Sequence, residues 1–159
     1  MENTQTRYAG FWMRFLAYII DGIILSIVSL IIMIPFFGLL GITAAVGGGN
    51  PDLDAEGSGF MAAMAGTIFL SILAVGVAGW LYFALMESSA KGATLGKMAL
   101  GLRVTDLSGN RISFGRATGR YFGKIVSGMI FSIGYIMAGF TQQKQALHDI
   151  MAGCLVVRN

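Results

Sequence analysis

Arg14 and Asp21 stand seven residues apart in an otherwise apolar stretch. On a helix they project from nearly the same face, with Tyr18 between them. A rise of 1.5 Å per residue sets Asp21 roughly 10 Å deeper than Arg14. A carboxylate at that depth in a bilayer costs about 2.5–3.5 kcal/mol on insertion scales unless it is paired or hydrated. Two chemistries answer that cost. Asp21 is a packing residue bonded to Arg14 or to a neighbouring helix, or it is a Na⁺ or H⁺ site, since hard carboxylate oxygens suit such a cation.

A second set, Arg116, Arg120 and Lys124, falls at i, i+4 and i+8 and makes one basic stripe. Gly115, Gly119, Gly123 and Ser127 repeat the spacing one residue earlier in register, a small-xxx-small pattern that lets another helix approach closely. The basic stripe reads first as an interfacial helix on anionic headgroups. The sharper reading pairs one of its bases with Asp21, Glu87 or Asp149.

Other chemistries fail on composition. Gly92-x-Thr94-x-Gly96-Lys97 resembles a phosphate loop, but Lys91 stands where the first Gly should be and Met98 where Ser or Thr should be. Nucleotide binding is therefore not expected; a tight turn at the membrane surface is. A single His148 and a single Cys154 exclude a multi-histidine zinc site, a thiolate cluster and an internal disulfide. His148 and Asp149 are adjacent, so on a helix they do not face each other, and no nucleophile accompanies them. The ten Met lie in apolar runs and read as packing. No enzyme, and no cofactor beyond Na⁺ or H⁺ as transported ions, is expected.

The elements that hold these residues belong to a membrane. Of 159 residues, 12% are charged, and the mean hydropathy is +0.72. That is about half the charge of a soluble domain. Residues 15–40 and 60–86 are long enough to cross a bilayer core, which takes about 20 residues. Asp21 is the only charge in either, and Pro35 should kink the first near its far end. The first run is too long for a removable signal peptide. Loop 41–59 carries Asp52, Asp54 and Glu56 and no Lys or Arg, whereas Lys91 to Lys124 holds seven bases against one acid, Asp106. The positive-inside rule then puts the N-terminus and the 87–124 segment in the cytoplasm, and loop 41–59 outside. The basic pI thus reflects orientation rather than nucleic-acid binding.

Residues 102–114 alternate around Ser-Gly-Asn and predict a β-hairpin; Cys154 to Arg158 reads as a strand that pairs with it. Pairing needs both on one side of the membrane. The uncharged stretch 125–140 is short for a crossing, with a weak helical centre at Ser-Ile-Gly-Tyr, so 115–147 reads as a broken or re-entrant third element rather than a full span, which also keeps the C-terminus cytoplasmic.

The blocks YAGFWMRFLAYIIDGII, KGATLGKMALGLRVTDLSGNRISFGRATGRYFGK and QALHDIMAGCLVVRN together resemble the RDD family of small, mostly bacterial membrane proteins. The likeness runs from Tyr8 to Val157 and fails only in loop 41–59. The family is named for an Arg and two Asp, which here would be Arg14, Asp21 and Asp149. The resemblance implies a fold and a residue set more than a reaction. Most members look unassigned, some are linked to sodium–proton exchange, and a distant eukaryotic relative resembles an adaptor in a membrane quality-control complex.

The expectation is one domain over 1–159, an all-α membrane protein. It has two full transmembrane helices, a broken third element and a small cytoplasmic β-element. In function it is a scaffold or adaptor with Arg14, Asp21 and Asp149 as a buried polar clasp. The rival is a cation-coupled transporter, a sodium–proton antiporter working through Asp21. Its partners are the bilayer of the cell membrane and a second copy or another membrane protein.

Overall fold

A computed structural model of the chain describes residues 7–47, 58–129 and 133–158. Asp52, Asp54 and Glu56 of the expected outer loop lie outside these residues, as does Ser132. The elements in order are α1 (Phe11–Gly47), α2 (Ser58–Glu87), α3 (Leu95–Ala99), β1 (Leu102–Asp106), α4 (Phe114–Met129), α5 (Ile133–Phe140), α6 (Leu147–Ala152) and β2 (Cys154–Arg158). The described residues are mostly helical, with one small two-stranded sheet.

Both long helices extend a few residues beyond the apolar runs. Apolar windows long enough to span a membrane cover Phe11–Ile42 and Met61–Glu87. Their side chains are not hidden by protein: Leu30, Ile34, Phe37, Phe69 and Ile72 are all more than half exposed. In water such surface would be untenable; in lipid it is the favourable face. Pro35 sits inside α1 without interrupting it.

Contacts divide the chain into two units, one of residues up to Ile23 together with Trp80 onward, the other of Ile24–Gly79. In the second unit Thr67 and Ser71 are buried, and each turns its hydroxyl onto a carbonyl of its own helix turn, Ala63 and Ile68. Every candidate residue lies in the first unit.

The first unit is organised by the sheet. β1 and β2 pair antiparallel, with Val104 opposite Val156 and Arg103 opposite Val157. Tyr8 forms a bridge to Val157, which brings the segment before α1 to the same sheet. Ala9, Ala17, Ala84, Leu102, Val104 and Val156 belong to one core beneath it. The pairing expected between residues near 102 and 154 is present, but the hairpin expected over 102–114 is not. After Asp106 the chain folds onto the Asp106 carboxylate, which accepts the backbone N–H of Ser108 (2.9 Å) and Asn110 (2.8 Å). Ile112 is then carried into the core, and α4 starts at Phe114 instead of a returning strand.

The third membrane element is bent. Phe114–Met129 and Gly134–Phe140 meet at 97°. Gly134 allows the close return: a Cβ there would lie 2.7 Å from Ser127 Cβ. Of the glycine stripe, Gly123 and Ser127 are buried and face His148 and Gly134, while at Gly115 and Gly119 an added Cβ would meet no atom within 4 Å. Half of the stripe therefore packs within the chain.

Candidate functional site

The first turns of α1 bring Arg14 and Asp21 to different partners. Arg14 forms an ion pair with Asp149 on α6, and its Nε and Nη2 donate to the carbonyls of Ala9 (2.8 Å) and Lys144 (2.6 Å). Of the two alternatives, Arg14 takes Asp149 and Asp21 takes a neighbouring helix, and no Arg14–Asp21 pair forms. Depth is the reason, because two helical turns separate the groups and the guanidinium turns toward the sheet side.

Asp21 is held by neutral donors. Tyr82 on α2 donates its hydroxyl to Oδ1 (2.7 Å), the Gly96 backbone N–H donates to the same oxygen (2.7 Å), and Thr94 Oγ1 donates to Oδ2 (2.6 Å). The Gly92-x-Thr94-x-Gly96-Lys97 block thus uses hydroxyl and backbone N–H groups on an anion as a phosphate loop does, but the anion is the protein's own carboxylate. Gly92 makes the turn into the block at φ +61°.

The remaining charges form a buried chain. Arg120 on α4 donates through Nε to Asp149 Oδ1 (2.7 Å) and through Nη1 to Glu87 Oε2 (2.7 Å). Glu87, at the end of α2, also pairs with Lys97 and with Lys124 (3.3 Å). Lys124 Nζ lies 4.0 Å from the centroid of the Phe83 ring. Asp149 additionally accepts the backbone N–H of Ala146 (3.1 Å), so it caps the first turn of α6 while bridging two arginines. Four cations thus share two carboxylates.

This corrects the expectation for the basic stripe. Arg116 is exposed, as an interfacial helix requires, but Arg120 is buried and Lys124 half-buried in the network. Tyr18 stays largely exposed and contributes to neither ion cluster; it borders a cavity instead. The residues that sequence reasoning missed are Tyr82, Thr94, Gly96 and Lys97. Lys97 did carry a signal, since a lysine inside a short, mostly apolar segment needs a partner.

Burial pushes Lys97 down to about 7, against the pull of Glu87 and with the repulsion of Arg120 and Lys124. Burial likewise pushes His148 down to about 3, despite the adjacent Asp149. Arg120 and Arg14 overcome burial to hold Asp149 below its usual range. The sign for stability follows. Between about pH 6.5 and pH 3 the unfolded chain protonates His148 and the folded chain does not, so stability falls with acid across that window. Below pH 3.8 Asp149 adds to the fall in the same direction. The expected slope approaches about 1.4 kcal/mol per pH unit. Thermal melting of His148→Gln in detergent should show a clearly shallower pH dependence between 6.5 and 4 than the parent; identical slopes would refute the assignment.

Among the described residues no group of three or more His, Cys, Asp and Glu is placed to hold a metal. A family model described as the RDD family matches residues 8–153. The uncharacterized protein YxaI of Bacillus subtilis (strain 168) is 43% identical over 150 residues, covering 94% of this chain and 96% of that protein. The uncharacterized membrane protein YteJ of the same organism is 32% identical over 157 residues, covering 94% of this chain and 80% of its own length. No solved structure matches the chain.

Proposed function

The chain belongs to the RDD family, and from that premise we propose that it is a non-catalytic membrane scaffold or adaptor in which Arg14, Asp21 and Asp149 act through two separate polar clasps, Arg14 with Asp149 and Asp21 with Tyr82, Thr94 and Gly96. The observation that carries this reading is the saturation of Asp21 by Tyr82, Thr94 and Gly96 of the same chain. In this arrangement the Gly96 N–H and the Tyr82 and Thr94 hydroxyls spend their protons on the carboxylate, so its charge is balanced by hydrogen bonds from the chain itself without a cation. Arg14 and Asp149 are likewise engaged with one another, and Asp149 also with Arg120. Such a clasp ties α1, α4 and α6 to the sheet. It presents a fixed cytoplasmic face to a second copy or another membrane protein, with the N-terminus and C-terminus both on the cytoplasmic side of the cell membrane.

The second reading, sodium–proton antiport through Asp21, draws on one observation: Asp21 borders the cavity beside the network. Proteoliposomes containing the full chain separate the two. A scaffold gives no Na⁺-driven pH change, and Asp21→Asn only destabilises the fold, by about 1–3 kcal/mol for weakened bonds to a formerly charged group, read as a lower melting temperature. Wild-type flux that a folded Asp21→Asn protein lacks would establish exchange and remove the scaffold reading.

A further inference from the structure

Beside the ion network lies a cavity of about 480 Å³, within the roughly 300–1,000 Å³ typical of small-ligand sites. Its lining is of two kinds. Arg14, Lys97, Arg120 and Lys124 border it, with Asp21 and His148, and so do Phe11, Phe15, Tyr18, Phe83 and Ile136. The four cations are ion-paired to only two carboxylates, Glu87 and Asp149. Even with Asp21 counted, positive charge is in excess. Lys124 is the most accessible of the four, its side chain 18% exposed.

We propose that this cavity seats an anionic phospholipid, the phosphate against Lys124 and its neighbouring cations and the acyl chains along Phe11, Phe15 and Ile136. The proposal goes beyond the clasp, which needs only the ion pairs. Charge complementarity selects an anion. The apolar walls, at the level where α1 begins its span and α2 ends its own, select an amphiphile over a free ion. Trp12 and Leu16, exposed on the opening turns of α1, place the same region at lipid. An incoming phosphate would also offset the burial and like-charge repulsion that weigh on Lys97.

Two variants probe the site separately. Gly128 borders the cavity, belongs to no ion pair, and a Cβ there would meet no atom within 4 Å, so Gly128→Leu adds bulk without removing a charge. Lys124→Gln removes the accessible charge and Lys124→Arg keeps it. Delipidated full-length protein in detergent is titrated with phosphatidylglycerol, phosphatidylcholine or inorganic phosphate, following bound lipid by native mass spectrometry and melting temperature in parallel. Phosphatidylglycerol should bind about tenfold tighter than phosphatidylcholine, and inorganic phosphate at equal concentration should not shift melting. Lys124→Gln should weaken phosphatidylglycerol by about fivefold, one surface charge's worth, with Lys124→Arg retaining it. Gly128→Leu should reduce it at unchanged lipid-free melting. Equal binding of the two lipids, or undiminished binding by Gly128→Leu, would overturn the proposal. A matching shift from inorganic phosphate would replace the lipid with a free anion. None of these outcomes bears on the flux experiment, so the clasp and the lipid site stand or fall independently.

Discussion

Glu87→Gln is expected to be among the most damaging single-atom changes in this protein, costing about 3–5 kcal/mol, the usual result of leaving buried charges without their partner. The substitution keeps the shape of the side chain, removes its charge, and turns one of two accepting oxygens into an amide donor facing a cation. Glu87 is fully buried and is the shared acceptor for Arg120, Lys97 and Lys124. Without it, Asp149 is left to balance four cations, two of them lysines with no other ion pair among the described residues. Arg120→Ala should cost less although it breaks two buried bonds. Glu87 would keep two lysines and Asp149 would keep Arg14, so no carboxylate is stranded. Melting in detergent checks the order: Glu87→Gln below Arg120→Ala, with exposed Arg116→Ala near the parent. Adding Lys124→Gln to Glu87→Gln should recover part of the loss, because it removes one of the uncompensated cations. If Glu87→Gln melts with the parent, the network is not what holds these elements together.

Helix existence was legible because it rests on length and hydropathy alone, which no tertiary contact overrides in lipid. The strand pair was legible for a similar reason: Leu-Arg-Val-Thr-Asp and Cys-Leu-Val-Val-Arg are the short β-prone runs outside the spans, and a lone strand of either would leave its backbone unpaired. The partners of Arg14 and Asp21 were not. Helical spacing put both on one face and so suggested each other, yet apart from the Arg14–Ala9 bond their partners stand 61 to 135 positions away. Periodicity reports direction, and it is silent on what the fold brings to meet a side chain. Glu87 shows the same limit. It closes a helix that offers no other charge, while its cations come from α3 and α4. The hairpin over 102–114 failed because local turn chemistry competed with the core. Ser-Gly-Asn does turn, but onto Asp106, and Ile112 is more valuable buried than facing a second strand.

Gly96→Ala tests whether the Gly-x-Thr-x-Gly-Lys block exists to approach Asp21. A Cβ at position 96 would lie 2.3 Å from the carbonyl oxygen of Ala17, 2.9 Å from Asp21 Cγ and 3.0 Å from Asp21 N. Two of those three atoms are backbone inside α1, so the clash cannot be relieved by a rotamer. α3 must lift from α1, and with it go the Gly96 N–H and Thr94 hydroxyl bonds to the carboxylate. Overpacking and the loss of bonds to a charged group together amount to about 3–5 kcal/mol. Gly119→Ala is the matched control, since it makes the same change in helix α4 where an added Cβ meets nothing within 4 Å. Better helix propensity should make that variant neutral or more stable by up to about 1 kcal/mol. The two losses at Asp21 should also fail to add. Once Gly96→Ala has pulled the donors away, Asp21→Asn has little left to break, and should even be favourable beside an alanine because a neutral amide is cheaper to strand than a carboxylate. An additive double variant would mean that Gly96 and Asp21 act separately and that the block's resemblance to an anion-binding loop is a coincidence of composition.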